Sequence, residues 1–146
     1  MTILATIEDE LARIAAVLGL DPVLFDVPTS PREAAHHFAA RGDRFDMIHT
    51  ERGKSDVLAE RLGSDDVAYE VTFMVTMDHC LKSELKSRGP VYSRWNWIGP
   101  HIMMMRRAKP GWGARCEAHY RRVLEAAPLS DAEIDAILPG ILKPNV

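Results

Sequence analysis

The sequence predicts a mixed α+β fold: an N-terminal helix, a small antiparallel β-meander, then three or four packed helices. Apolar residues recur at helical spacing near both ends of the chain, as Ile7, Leu11, Ile14, Ala15 and Leu18 and again as Trp112, Cys116, Tyr120, Val123 and Leu124. Between them, Phe45, Met47 and Glu51 alternate with Asp46, Ile48 and Thr50, and the run is framed by two hairpin-like turns, Arg41-Gly42-Asp43 and Arg52-Gly53-Lys54. A chain of 146 residues that is 47% hydrophobic is expected to form one domain with its own core.

The first helix signal opens at Thr6-Ile7-Glu8-Asp9, with Thr6 as its cap and acids suited to a helix N-terminus; Gly19 ends it. After Asp21-Pro22, VLFDV is short, apolar and bracketed by prolines, as for an edge strand or an extended lead-in. The next segment sends conflicting signals. Ser30-Pro31-Arg32-Glu33 has the form of a capping box with proline at the first helical position, so a helix rivals a meander of HHFAA, RFDMIHTE and SDVLAERL. From Ser64 to Leu85, Tyr69, Val71, Phe73, Val75 and Met77 alternate as in a strand, while Val67, Val71, Met74, Leu81 and Leu85 keep helical spacing. Ser64-Asp65-Asp66 offers a cap, and 22 residues without Gly or Pro are long for one strand, so helix is favoured. RWNWIGPHIMMMRRAK has helical polarity with a kink or break expected at Gly99-Pro100, because proline lacks the amide that the preceding turn would bond. Pro110-Gly111-Trp112 leads into an amphipathic helix, Ser130 caps DAEIDAIL, and Pro139-Gly140 stops it before the tail ILKPNV.

Composition and spacing argue against several functions. The N-terminal stretch holds Glu8, Asp9, Glu10 and Arg13 among its apolar residues, which fits neither a signal peptide nor a membrane span and leads to a cytoplasmic expectation. Asp78-His79-Cys80 places an acid, an imidazole and a thiol in sequence, but neighbours diverge by about 100° on a helix and point to opposite faces of a strand. Cys80 therefore reads as a packed small hydrophobe, and an enzyme built on His79, Cys80 or His119 stands as an alternative. Cys80 and Cys116 lack paired spacing and read as reduced thiols. The six histidines show no HxxxH or HExxH spacing, so no metal is expected, and without a Gly-rich phosphate loop no cofactor is expected. Met103, Met104 and Met105 read as core filling ahead of an adaptable binding surface. Charge is segregated along the chain, at -6 over residues 1–66, +5 over 67–127 and -2 over 128–146, which suits a charged partner. Arg106, Arg107, Lys109, Arg115, Arg121 and Arg122, interleaved with Trp112 and Tyr120, raise a nucleic-acid or ligand-binding alternative, against which the pI near 6.1 favours a solvated face.

A pattern extends from residue 45 to residue 124. Phe45 precedes Glu51-Arg52-Gly53; Asp65-Asp66 enters a segment with Tyr69 that ends near Glu84-Leu85; Arg88, Arg94 and Pro110-Gly111-Trp112 follow. In order and spacing this resembles the immunity protein 63 family of bacterial polymorphic toxin systems. Where the family usually has tyrosine before the ERG turn the chain has Phe45, and His101 stands where a glutamine is common. The resemblance implies strands for HHFAA and RFDMIHTE and a helix for 65–86, which overrides the capping-box reading at Ser30.

It also implies function: a cytoplasmic immunity protein that binds and occludes a cognate toxin domain, without turnover, membrane or cofactor. If the toxin is a nuclease, its basic groove would meet acids, and the candidates are Asp43, Asp46, Glu51, Asp56, Glu60, Asp65 and Asp66. The family-pattern residues Phe45, Arg52, Gly53, Tyr69, Glu84, Arg94 and Trp112 are either structural or in the interface, since carboxylate and guanidinium groups also tie elements together through bidentate bonds.

Overall fold

The structure, a computed structural model, describes residues 2–90 and 92–144. Helix α1 (Ile3–Leu18) and a 3-10 turn (Pro22–Phe25) precede strands β1 (Ala35–Arg41), β2 (Arg44–Glu51) and β3 (Lys54–Leu62). Helices α2 (Ser64–Ser87), α3 (Trp95–Ala108), α4 (Trp112–Ala126) and α5 (Asp131–Asp135) complete the expected α+β order. The chain groups into two compact units, Met1–Thr72 and Phe73–Val146, with the boundary inside α2.

In the first unit, the whole predicted stripe of α1, Ile7, Leu11, Ile14, Ala15 and Leu18, is buried. The predicted cap is corrected. Thr2 caps the helix by accepting the Ala5 amide at 3.0 Å, and Thr6 lies inside, donating its hydroxyl to the Thr2 carbonyl at 3.1 Å. Once Thr2 satisfies a free amide, Ile3 and Leu4 extend the helix one turn earlier. VLFDV is not a strand either, because the Asp21 carboxylate accepts the Val23 amide at 3.0 Å and winds Pro22–Phe25 into a 3-10 turn. Extended backbone resumes at Asp26, and the Pro28 carbonyl accepts the β1 amide of Phe38 at 2.8 Å.

The sheet is an antiparallel meander in the order β1-β2-β3. Arg41 pairs with Arg44 across Gly42-Asp43, and Glu51 with Lys54 across Arg52-Gly53. Both central residues of the second turn have positive φ, 52° at Arg52 and 76° at Gly53, the conformation that matches strand twist in a two-residue hairpin. Glu33 does not close a capping box at Ser30; its carboxylate accepts the Arg52 amide and holds that turn. Phe38, Phe45 and Met47 are buried on the sheet. Along β3, Val57 pairs with Ile48 but Ala59 with Met47, and Leu62 with Phe45, so β3 has an extra residue at each of two irregularities.

In the second unit, α3 runs from Trp95 to Ala108 through Pro100, so of the expected kink or break the break does not occur. Proline removes one hydrogen bond, to the Asn96 carbonyl, but the surrounding turn is anchored from outside. Residues 127–144, here termed the strap, lie along it: Asn96 Nδ2 donates to the Ala136 carbonyl at 3.1 Å and its Oδ1 accepts the Leu138 amide at 2.9 Å. Trp95 Nε1 donates to the Leu142 carbonyl at 2.6 Å. Gly99 permits this approach, since a Cβ there would lie 3.0 Å from the Ile141 side chain.

Ser130 caps α5 as expected, in a full capping box with Glu133, but the helix ends at Asp135 instead of running through Leu138. The Asn96 side chain takes the backbone groups of Ala136 and Leu138 that further turns would need. On α4, Trp112, Cys116 and Tyr120 are buried as expected, whereas Val123 is 41% exposed.

Candidate functional site

The candidate acids of the first unit divide into those used by the fold and those left over. Asp46 is used: Oδ2 lies 3.1 Å from Arg41 Nε, and Oδ1 accepts the Arg61 amide at 3.2 Å. Asp66 accepts the Gly63 amide at 3.1 Å, and it and Asp65 occupy the first turn of α2, where acids stabilise the helix dipole. Glu51 is exposed and 3.5 Å from His49 Nε2. Asp43, Asp56 and Glu60 are exposed and have no hydrogen bond or ion pair among the described residues.

Asp56 and Glu60 share β3 with Val57 and Leu58, which are 53% and 50% exposed. A strand on the edge of a three-stranded sheet leaves one row of backbone groups unpaired by its neighbour, and its charges and irregular register restrict which partner can pair with it.

Most of the family-pattern residues are buried or bonded within the fold. Phe45, Tyr69 and Trp112 are buried, and Arg52-Gly53 forms the turn. Glu84, 4% exposed at its side chain, makes a bidentate pair with Arg88 at 2.9 and 2.6 Å, and Arg88 in turn lies 3.9 Å over the Tyr92 ring. Arg94 is the tether of the strap. Its backbone amide and Nε bond Glu133 Oε2 at 3.2 and 2.8 Å, Nη2 bonds Glu133 Oε1 at 3.0 Å, and the carbonyls of Ala127 and Pro128 accept at 2.8 and 2.9 Å. The Arg94 side chain, then the Ser130 and Arg94 amides, hold the Glu133 carboxyl down at about 2. Sequence reasoning missed Glu133, although Ser130-x-x-Glu133 is a legible capping box.

The groups of the enzyme alternative are not brought together. On α2, Asp78 and His79 face solvent and Cys80 is buried, its Sγ 3.5 Å from Met104 Sδ. Burial pushes the Cys80 thiol up to about 11; burial, then the neighbouring Cys80 and Glu117, push Cys116 up to about 12. Neither supplies a thiolate at neutral pH. His119 packs in an aromatic cluster with Phe73, at 5.1 Å, and Tyr120, at 5.1 Å. In the same cluster His101 is fully buried, with Nδ1 2.5 Å from the Tyr120 hydroxyl. Its Nε2 makes no well-formed hydrogen bond, the Phe73 backbone being the group near enough to favour a proton there. Desolvation outweighs that pull and, with nearby His119, lowers His101 to about 4, a neutral imidazole at pH 7. Of the three methionines, Met105 is buried, Met104 half-buried and Met103 40% exposed.

Among the described residues, no group of three or more His, Cys, Asp or Glu side chains is placed to hold a metal ion. No helix among the described residues is long and apolar enough to cross a membrane. Arg106, Arg107, Arg115, Arg121 and Arg122 are exposed. No family model matches the chain, and neither curated proteins nor solved structures yield a match.

Proposed function

We propose that the chain is a non-catalytic binding protein: a cytoplasmic immunity protein that occludes a cognate toxin domain, of the class that residues 45–124 resemble. The observation that supports this reading best is β3, where Asp56 and Glu60 flank the exposed Val57 and Leu58 and neither carboxylate has a hydrogen bond or ion pair among the described residues. An apolar centre between charges is the composition of a recognition patch, where burial supplies affinity and charge supplies encounter rate and register. The binding set narrows from seven acids to Asp43, Asp56 and Glu60, with Glu51 beside them in sequence, because Asp46, Asp65 and Asp66 serve the sheet and the helix start. Inhibition is stoichiometric, with a basic groove as the complementary surface.

Co-expression with the toxin domain encoded beside the gene tests the reading. Growth is restored, a one-to-one complex forms on mixing, and Asp56→Lys with Glu60→Lys slows association while the fold persists. Unchanged binding by the double reversal moves the interface off β3; absence of both protection and binding removes the immunity reading.

A further inference from the structure

The second unit contains a cavity of about 240 Å³ between α3, α4 and the strap. Trp95 and Ile102 of α3 and Tyr120 and Leu124 of α4 form two walls, and Leu129 and Ile134 of the strap form a third. The walls are fixed. Trp95 is held through Leu142, Tyr120 through His101, and the strap through the Arg94–Glu133 tether. An apolar cavity with rigid walls binds small ligands at low ordering cost, and the few polar groups at its rim select among them. Three charged residues of α4 line this rim: Glu117, Arg121 and Glu125. Glu117 and Arg121 face each other at 3.8 Å, and Glu125 has no ion pair among the described residues, so the rim carries one uncompensated negative charge.

We infer that this cavity binds a small organic cation, an apolar ring or short chain bearing one protonated amine, with the apolar part against Trp95 and Leu124 and the ammonium at Glu125. A carboxylate that holds no partner at the mouth of an apolar cavity favours a cation and repels an anion of the same shape. The site stands apart from the toxin-binding reading, and loss of toxin binding would leave it untouched.

Two isosteric probes test it on the full chain: phenethylammonium and 3-phenylpropionate, which carry the same ring and spacer with opposite charge. Tryptophan fluorescence and amide NMR shifts should report saturable phenethylammonium binding at the strap and α4, at least tenfold tighter than 3-phenylpropionate at low salt. Glu125→Gln, an exposed substitution that leaves the fold intact, should reduce that preference several-fold; Leu124→Trp should fill the cavity and abolish binding of both probes. Equal affinity for the two probes, no saturable binding of either, or an undiminished preference in Glu125→Gln would each overturn the inference.

Discussion

Strand β3 and the strap are both largely exposed and both rich in charged residues, yet their charges have opposite fates. In the strap, Glu133 bonds the Arg94 backbone and side chain and closes its own capping box. In β3, the Asp56 and Glu60 carboxylates make no hydrogen bond or ion pair among the described residues. A run of charge therefore says little about role until the partners are known: half-buried and multiply bonded, a carboxylate holds structure, and exposed and alone, it is available for recognition.

The largest test of this contrast is Arg94→Ala. Removing a guanidinium that bonds one carboxylate and two carbonyls should cost about 2–3 kcal/mol, read as a lowered urea midpoint, since hydrogen bonds to charged groups each contribute about 1.5–3 kcal/mol and this one is partly solvated. A loss below about 0.5 kcal/mol would make the strap as dispensable as β3.

Acid titration separates two groups of the second unit. His101 has a folded pKa of about 4, below its ordinary value, so its contribution is complete above pH 6.5 and declines as pH falls toward 4. The slope there approaches but does not exceed about 1.4 kcal/mol per pH unit from this group alone. Glu133, lowered to about 2, contributes fully above pH 4.5 and loses its contribution between 4.5 and 2. Urea unfolding across pH should therefore show two windows, the lower one flattened in Glu133→Gln and the upper one retained.

A smaller effect, about 1 kcal/mol, is expected for Ser130→Ala, which removes the acceptor of the Glu133 amide at 3.1 Å. Smallest of all, Asp56→Ala and Glu60→Ala should each shift the unfolding midpoint by less than about 0.5 kcal/mol. A larger loss would show that β3 charges support the fold after all and would end the contrast.

Some of these roles were open to reading. The α1 stripe, the two tight turns, the preference for helix from Ser64 to Leu85 and the Ser130 cap follow from spacings of a few residues, and the bounds 65–86 from the family resemblance. The triplet Asp78-His79-Cys80 also resolves from periodicity, because helical neighbours diverge around the axis. Thr6 misled because capping chemistry fits Thr2 equally well, and the choice between them depends on where the helix begins. At Pro100 the choice between kink and break was not legible, because the anchoring of Trp95 and Asn96 by the strap is not local. The acids could be counted from sequence but not sorted, since Asp46 is held by Arg61 across a bulged sheet.

The sequence by itself determined the buried face of α1 and the sites of the tight turns, because helical periodicity and turn conformation are set by residues within about one or two turns of each other, whereas strands over 35–62 were preferred to a helix only through the family resemblance. Only the tertiary structure decided which charges are bonded, that α3 passes through its proline, where α5 stops and that a cavity lies beneath the strap. The Asp46–Arg61 bond and those that tie Arg94, Trp95 and Asn96 to the strap join residues 15 to 47 positions apart, partners that become neighbours only once the intervening backbone has folded.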